Sequence, residues 1–280
     1  MNNIIVSVLV TFYNQERYVD TAISSIINQK TYFNYEILGG DDGSTDHTVE
    51  LINKWIKQYP DKIKLYTMKR DDQKYIGGFR ASKNRLNLLK YIRGKYFVFL
   101  DGDDFFCNDS KLQKQVEILD NKYNQDCVAC GHNMDMLFSD GTKKSLTTHL
   151  LKEKKIDSKK YWSKYYFHTD SLMIRSNIIK YIPVELLENN FNDNLITYSV
   201  IQYGKIYYIP EIMAVYRQTG DGVWTSGNKI ENCIRNMFVC DLCYQINPEF
   251  NRITAKRFFI SRLVLIKNRS SIREEKLQLF

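Results

Sequence analysis

Four runs of strand-forming side chains recur in roughly the first hundred residues, the first apolar on both faces, and each is separated from the next by a stretch of helical periodicity. They are Ile4–Phe12, Tyr35–Gly40, Ile63–Met68 and Tyr96–Leu100. Between them, Tyr18–Asn28 sets Val19, Ile23, Ile26 and Ile27 at helical spacing, and a second stretch does so with Val49, Leu51, Ile52, Trp55 and Ile56. Phe79–Arg93 reads as a third helix, which Gly94 is expected to close with a left-handed C-cap. Strands without a polar face need cover on both sides, and strands alternating with helices form βαβ units. The fold expected is α/β, a Rossmann-like, mostly parallel sheet flanked by helices.

In such a sheet, ligands bind beyond the carboxyl ends of the strands. Three of the four strand ends carry polar clusters, Thr11–Asn14, Asp41–Asp46 and Asp101–Asp104, so one site built from all three is expected. Beyond residue 106 the alternation stops. A helix Ser110–Tyr123, a strand Cys127–Met136, a Lys-rich segment, a short strand Ser171–Ile174, a helix Asp193–Tyr203 and a strand pair Lys205–Ile209 and Ile212–Tyr216 are expected in turn. Residues 229–266 read as helical with a break at Pro248. With 280 residues, 44% hydrophobic and 26% charged, the chain is neither disordered, collagen-like nor a disulfide miniprotein.

The net charge of +8 is unevenly placed. Residues 143–164 and 251–280 carry +6 each, which leaves −4 for the rest, so the bulk of the fold is mildly acidic and nucleic acid is not an expected partner. The segment 251–280 interleaves Arg252, Lys256, Arg257, Arg262, Lys267 and Arg269 with Ile253, Phe258, Phe259, Ile260, Leu263, Val264 and Leu265. That pattern suits a helix lying on an anionic membrane surface, and equally a packed terminal helix with a solvated basic face. No export signal and no apolar stretch of membrane-spanning length is visible, so a cytoplasmic protein, peripheral at the inner face of the membrane if the basic segment binds it, is expected. Six cysteines include two CxxC pairs, Cys127/Cys130 and Cys240/Cys243, but strand-like and helical surroundings favour reduced, mostly buried thiols over a zinc site.

Chemistry concentrates in the acidic clusters. Asp101-Gly-Asp-Asp104 puts three carboxylates directly after an apolar strand, where they repel one another unless a cation sits among them. Hard oxygen ligands suit Mg2+ or Mn2+, and Mg2+ is commonly held by one or two carboxylates together with substrate phosphates. Asp42 at the end of the second strand can accept a hydrogen bond from a uracil N3–H or a ribose hydroxyl, while Ser44 or Asp46 serves as a helix cap.

Four segments in order, VSVLVTFYNQERYVDTAISSI, DDGSTDHT, GKYFVFLDGDD, and FNDN followed by GKIYYIPEIMAVYR, over residues 4–217, resemble family 2 glycosyltransferases, inverting enzymes of the GT-A fold. The resemblance implies a nucleotide-sugar-binding half at residues 1–105, an acceptor-binding half at 106–227 and a basic C-terminal helical extension at 228–280. It further implies that Thr11, Tyr13 and Glu16 flank the nucleotide base, that Asp42 holds base or ribose, and that Asp101, Asp103 and Asp104 form the metal and ribose cluster, with Asp103 and Asp104 as ligands of Mn2+ or Mg2+. Asp193 takes the position of the catalytic base, although Asn192 stands where many members have Glu, and Thr219 stands where many place a His near the diphosphate.

Inverting transfer needs these parts. The leaving diphosphate must be neutralised, and one carboxylate must take the acceptor proton from the opposite face. The donor implied is a nucleotide sugar, a UDP-sugar first, and the acceptor a hydroxyl of a glycan or lipid-linked oligosaccharide for a cell-surface polysaccharide. Taken alone, Asp193 also suits a helix N-cap. Arg217 and the segment Gly220–Trp224 suit either a flap, with Arg217 on phosphate and Trp224 over the sugar, or a surface turn. His168 suits a structural histidine or a substrate contact, and Arg80 and Lys83 suit phosphate contacts or a solvated helix face. Two further readings are weaker. A sugar-nucleotide pyrophosphorylase needs a glycine-rich loop that Tyr13-Asn-Gln-Glu-Arg17 lacks, and a non-catalytic nucleotide-sugar-binding protein has no need of the full carboxylate set.

Overall fold

The structure is a computed structural model and describes residues 3–70, 78–148, 151–164, 166–188, 191–219 and 229–250, together with Val264. Gly77, the segment 220–228 with Trp224, and the tail 251–280 apart from Val264 lie outside the described residues.

The apolar runs form one half of a single sheet, with the third run at its edge. Strand β1 (Ile4–Phe12) pairs in parallel with β2 (Asn34–Asp41) and with β4 (Tyr96–Asp101), and β2 pairs in parallel with β3 (Ile63–Thr67). Side chains alternate across the sheet, so Val6, Val8 and Val10 enter one apolar layer with Val98 and Leu100, while Leu9 enters the other with Phe97 and Phe99. The first layer is closed by α1 (Val19–Ile27), α2 (Thr48–Gln58) and α4 (Lys111–Asp120), the second by α3 (Phe79–Leu89) and α7 (Asp193–Ile201), with Val239, Leu242 and Cys243 of α8 (Lys229–Ile246).

Beyond β4 the sheet continues through β9 (Met173–Arg175), β6 (Cys127–Leu137) and β10 (Lys205–Arg217) to β5 (Phe105–Phe106). Because β9 is antiparallel to both β4 and β6, and β10 is parallel to β6, the long strands all point one way, and the reversed strands are short ones, β9 within the sheet and β5 at its edge. Strand β7 (Lys143–Ser145) extends β6, and β8 (Lys154–Ile156) extends β10, while α5 (Ser158–Lys164) and α6 (Val184–Leu187) lie in the connections. Lys155 and Lys205 share Asp126, so part of the Lys-rich segment is fixed by ion pairs.

Three local expectations are corrected. Helix α3 ends at Leu89, and Gly94 is not a left-handed cap. The chain is drawn off the helix because Arg93 N–H donates to Ser7 Oγ and Glu36 Oε1 at 3.2 Å each, and the Arg93 guanidinium pairs with buried Glu36. Gly94 is needed there for close approach, since a Cβ would lie 2.6 Å from Ser7 N. The expected strand pair 205–209 and 212–216 is one strand, whose register shifts at Ile209/Ile212 surround Pro210, a residue without a ladder donor. The expected strand Ser171–Ile174 begins only at Met173, because Thr169–Ser171 is a single 3-10 turn.

All six cysteines are free, and Cys130 and Cys243 fall in layers on opposite sides of the sheet. Among the described residues, no helix is long and apolar enough to cross a membrane.

Candidate active site

Strand register assembles the first half of the site. Phe12 stands beside Asp41, and Thr11 beside both Gly40 and Asp101, so the three polar strand ends form one rim. Thr11 Oγ1 donates to Asp101 Oδ1 at 3.1 Å. Asp41 is spent on its own turn, accepting Gly43 N–H at 2.9 Å, Ser44 N–H at 3.1 Å and the Ser44 hydroxyl at 2.5 Å. Asp42, almost fully buried, meets Arg80 Nη2 at 2.6 Å and lies 3.8 Å from Arg70. The Arg70 guanidinium covers the ring of Tyr13 at 3.8 Å, and Tyr13 as a residue is 43% exposed, so a flat, charged platform adjoins Asp42.

The loop carrying Tyr13 is fixed to the turn after β2. Asn14, at a φ of 49°, accepts Thr45 N–H at 2.8 Å and donates its own N–H to Ser44 Oγ at 2.9 Å. Glu16 accepts His47 N–H at 3.0 Å, and its own N–H donates to Asp46 at 3.1 Å. Glu16 therefore braces the loop.

The second half follows from the shortness of β9. That strand pairs with β4 only from Tyr96 to Val98, so the N–H of Asp101 has no strand partner there and donates instead to Asp170 Oδ1 at 3.3 Å. On the other side, Gln115 Nε2 donates to Cys130 O at 2.7 Å and to Ser171 O at 2.9 Å, bridging β6 to the same turn. The gap left by β9 is filled by His168, Thr169 and Asp170, all buried. Ligand atoms of Asp101, Asp104 and His168 come within 4.8 Å of one another. Asp103 is outside that convergence; its backbone carbonyl accepts Arg217 Nη1 at 2.5 Å. Arg217 N–H donates to Asp104 Oδ1 at 2.7 Å, and its guanidinium stacks between Phe105 and Tyr18 at 4.6 and 5.1 Å.

Burial works against every charge in this group. It raises the Asp103 carboxyl to about 6, with Asp101 adding to the effect, and it raises Asp170 to about 7, with Asp101 adding and His168 opposing. Burial, with Asp170 and Asp103 nearby, holds Asp104 well above the usual carboxylate range. For Asp101 burial acts upward too, but Arg85, then His168 and Thr11, outweigh it and hold the carboxyl below its ordinary value. Burial lowers His168, and Asp193, Asp170 and Asp101 outweigh it to raise the imidazole. Asp104 Oδ2 and Asp170 Oδ2 are buried without hydrogen-bond partners among the described residues. His168 Nδ1 lies 3.6 Å from Asp170 Oδ2, but crowded carboxylates whose outer oxygens lack donors fit a divalent cation.

Asp193 faces this group across the same turn. It is the first residue of α7, and Asn192 is the cap, accepting Leu195 N–H at 3.0 Å, so the capping explanation falls to the neighbour. Asp193 accepts Thr169 N–H at 3.0 Å and the Tyr166 hydroxyl at 2.5 Å. Tyr166, His168 and Asp170 are thus threaded between the metal-side carboxylates and Asp193. Sequence reading leaves out Arg85, and it gives residues 166–170 only as a segment that the family resemblance puts beside the acceptor, with no separate role for Tyr166 or Asp170; the turn before a truncated strand is the signal that finds Asp170.

The chain matches the family model for Glycosyl transferase family 2 over residues 7–182. It is 34% identical over 119 residues to the Escherichia coli UDP-Glc:alpha-D-GlcNAc-diphosphoundecaprenol beta-1,3-glucosyltransferase WfgD, covering 42% of each chain. It spans about 60% of the length of the uncharacterized Mycobacterium proteins that it matches over 79% of its own. Its fold is similar to Staphylococcus aureus TarS 1-349, solved in complex with UDP-GlcNAc, with a TM-score of 0.67, 16% identity and coverage of 91% of this chain and 72% of that one. It is also similar to the mannosyltransferase PcManGT of Pyrobaculum calidifontis, solved with GDP-Man and Mn2+, with a TM-score of 0.59, 14% identity and coverage of 98% and 77%.

Proposed function

The chain belongs to glycosyl transferase family 2, and from that premise we propose that it is a glycosyltransferase that moves one sugar, with inversion, from a UDP-sugar to a hydroxyl of a glycan or lipid-linked oligosaccharide. The observation that carries this reading is the placement of Asp193 across the His168–Asp170 turn from Asp101 and Asp104. An inverting transfer needs a diphosphate site on one side of the sugar and a proton acceptor on the other.

In this reading the donor occupies residues 1–105 and the acceptor enters through 106–227. The nucleobase lies on Tyr13 and Arg70, with Thr11 and Glu16 shaping its bed and Asp42 accepting from base or ribose. Asp104, with Asp101 and His168 or with Asp103, would hold Mn2+ or Mg2+, and Asp101 and Asp103 would also meet the ribose. An ion held there would supply positive charge against the leaving diphosphate. Arg217, already across Asp103 and Asp104, meets phosphate oxygens as they arrive. Asp193 takes the proton of the acceptor hydroxyl as it attacks the anomeric carbon, and the protein walls that bury His168 and Asp170 keep water from competing. A UDP-sugar is favoured by the ligands named for TarS and for the E. coli relative, whose acceptor is a diphosphoundecaprenol-linked sugar. A lipid-linked acceptor places the enzyme at the inner membrane face, with the basic segment 251–280 against it.

The test is release of nucleotide from a panel of UDP- and GDP-sugars with Mn2+, with and without lipid-linked acceptor sugars. Transfer from a UDP-sugar, lost by about 100-fold or more in Asp193→Asn while UDP still binds, is expected. Transfer at a near wild-type rate in that variant removes Asp193 as the base, and activity only with GDP-sugars overturns the donor assignment.

A further inference from the structure

Helix α3 grips both sides of the site. From its first turns, Arg80 meets Asp42 and Asn84 Nδ2 donates to Gly40 O at 2.8 Å, which fixes the helix to the end of β2. One turn on, Arg85 Nη2 reaches Asp101 Oδ1 at 2.5 Å and Oδ2 at 2.7 Å, while Nη1 of the same guanidinium donates to Phe191 O at 3.0 Å. Ser82 Oγ accepts the Phe191 N–H at 2.8 Å. Both backbone polar groups of Phe191 are therefore held by α3. The Phe191 ring is locked as well, edge-on to Phe99 at 5.2 Å and beneath the Arg85 guanidinium at 5.7 Å. Phe191 is followed by the cap Asn192 and then by Asp193, so this residue sets where the carboxylate of Asp193 begins.

We infer that Arg85 is a positioning residue that ties Asp101 on the donor side to the Phe191–Asp193 segment on the acceptor side and so fixes the distance between them. The inference rests on the transferase reading for its kinetic consequence and on geometry alone for its structural one. A planar guanidinium spans a carboxylate and a carbonyl at once, whereas a lysine ammonium, a single point of charge, serves one of them. Arg85→Lys thus keeps a cation beside Asp101 and releases Phe191 O. Ser82→Ala removes the other hold on Phe191 and leaves Asp101 untouched.

Two measurements test this on the full chain. Hydrogen–deuterium exchange of the peptide spanning Phe191–Ile196 is expected to quicken in Arg85→Lys and in Ser82→Ala, with β1 and β4 unchanged. In steady-state kinetics Arg85→Lys is expected to lower kcat by about 100-fold, the cost of a base misplaced by about 1 Å, with UDP affinity by calorimetry within about threefold of wild type. Unchanged exchange at 191–196 in both variants overturns the latch whatever the activity. Loss of kcat and UDP affinity in parallel, or wild-type kcat in Arg85→Lys, overturns its positioning role. A wild-type protein inactive with every donor refutes the transferase reading instead, and the exchange result then decides the latch alone.

Discussion

Tyr166 donates its hydroxyl to Asp193 Oδ2 at 2.5 Å, and Thr169 N–H takes the other oxygen, so the carboxylate proposed as the base is held by two donors from one turn. A hydrogen bond to a charged group contributes about 1.5–3 kcal/mol. Tyr166→Phe removes one of the two without changing ring volume. Its kcat is expected to fall about tenfold or more, with UDP affinity unaltered. A variant with wild-type kcat shows that Thr169 N–H alone orients Asp193.

The choice of metal ligands is separable in the same way. Asp104 and His168 belong to the convergent group and Asp103 does not, although all three are close in space or sequence. Mn2+ titrated into the protein and followed by electron paramagnetic resonance is expected to bind about 10–100-fold more weakly in Asp104→Asn and His168→Ala. Asp103→Asn is expected to bind nearly as wild type. The reverse pattern, with Asp103 essential and His168 dispensable, assigns the ion to Asp103 and Asp104.

Strand-end residues were legible in the sequence because apolar runs reveal strands and parallel register then brings their ends together, as it does for Thr11, Asp41 and Asp101. The order of β1 to β4 with α1 to α3 followed for the same reason. What stayed hidden depends on interruptions that periodicity does not encode. His168 and Asp170 come beside Asp101 only because β9 stops at Met173, and Arg85 looks like one cation among several on a polar helix until Phe191 is seen against it. The ambiguity of Asp193 was genuine at the sequence level, since Asn192 and Asp193 are both good caps; the structure resolves it through the Asn192 bond to Leu195 N–H. Gly94 and Pro210 misled in opposite senses, one as close approach where a cap was expected, the other as a bulge where a break was expected.

Lys111 gives the fold a pH dependence. It is fully buried, donates to Gln115 Oε1 at 2.8 Å and lies 4.3 Å from the centre of the Phe106 ring. Burial lowers its pKa from 10.5 to about 7, against smaller upward effects from Asp170, Cys130 and Cys107. Between those two values the unfolded chain holds a proton that the folded chain does not, so this contribution to stability grows as pH rises from about 7 to about 10. Below about 7 both states are protonated and the whole penalty of burying the charge remains. A tenfold change in proton affinity is worth about 1.4 kcal/mol, so the difference across the window is a few kcal/mol. Urea unfolding at pH 7 and pH 9.5 is expected to show wild type gaining on Lys111→Met as pH rises; parallel curves for the two proteins remove Lys111 as the cause.

Packing behind the site sets the last expectation. Gly131 on β6 faces the Phe167 ring, and a Cβ there would lie 2.6 Å from Phe167 Cδ1 and Cε1 and 3.2 Å from Leu172 Cδ2. Phe167 cannot retreat easily, because it is 1% exposed and its ring lies between Tyr161 at 6.1 Å and Tyr208 at 6.0 Å. One added methyl in so tight a place costs about 1–3 kcal/mol, and the residue that must move is the one before His168. Gly131→Ala is therefore expected to lower both the unfolding midpoint and Mn2+ affinity. Adding Phe167→Leu makes room for the methyl, and the double variant should recover part of both losses, more than the two single effects summed would allow. A Gly131→Ala protein within about 0.5 kcal/mol of wild type with unchanged Mn2+ binding shows that Phe167 yields without disturbing the turn it precedes.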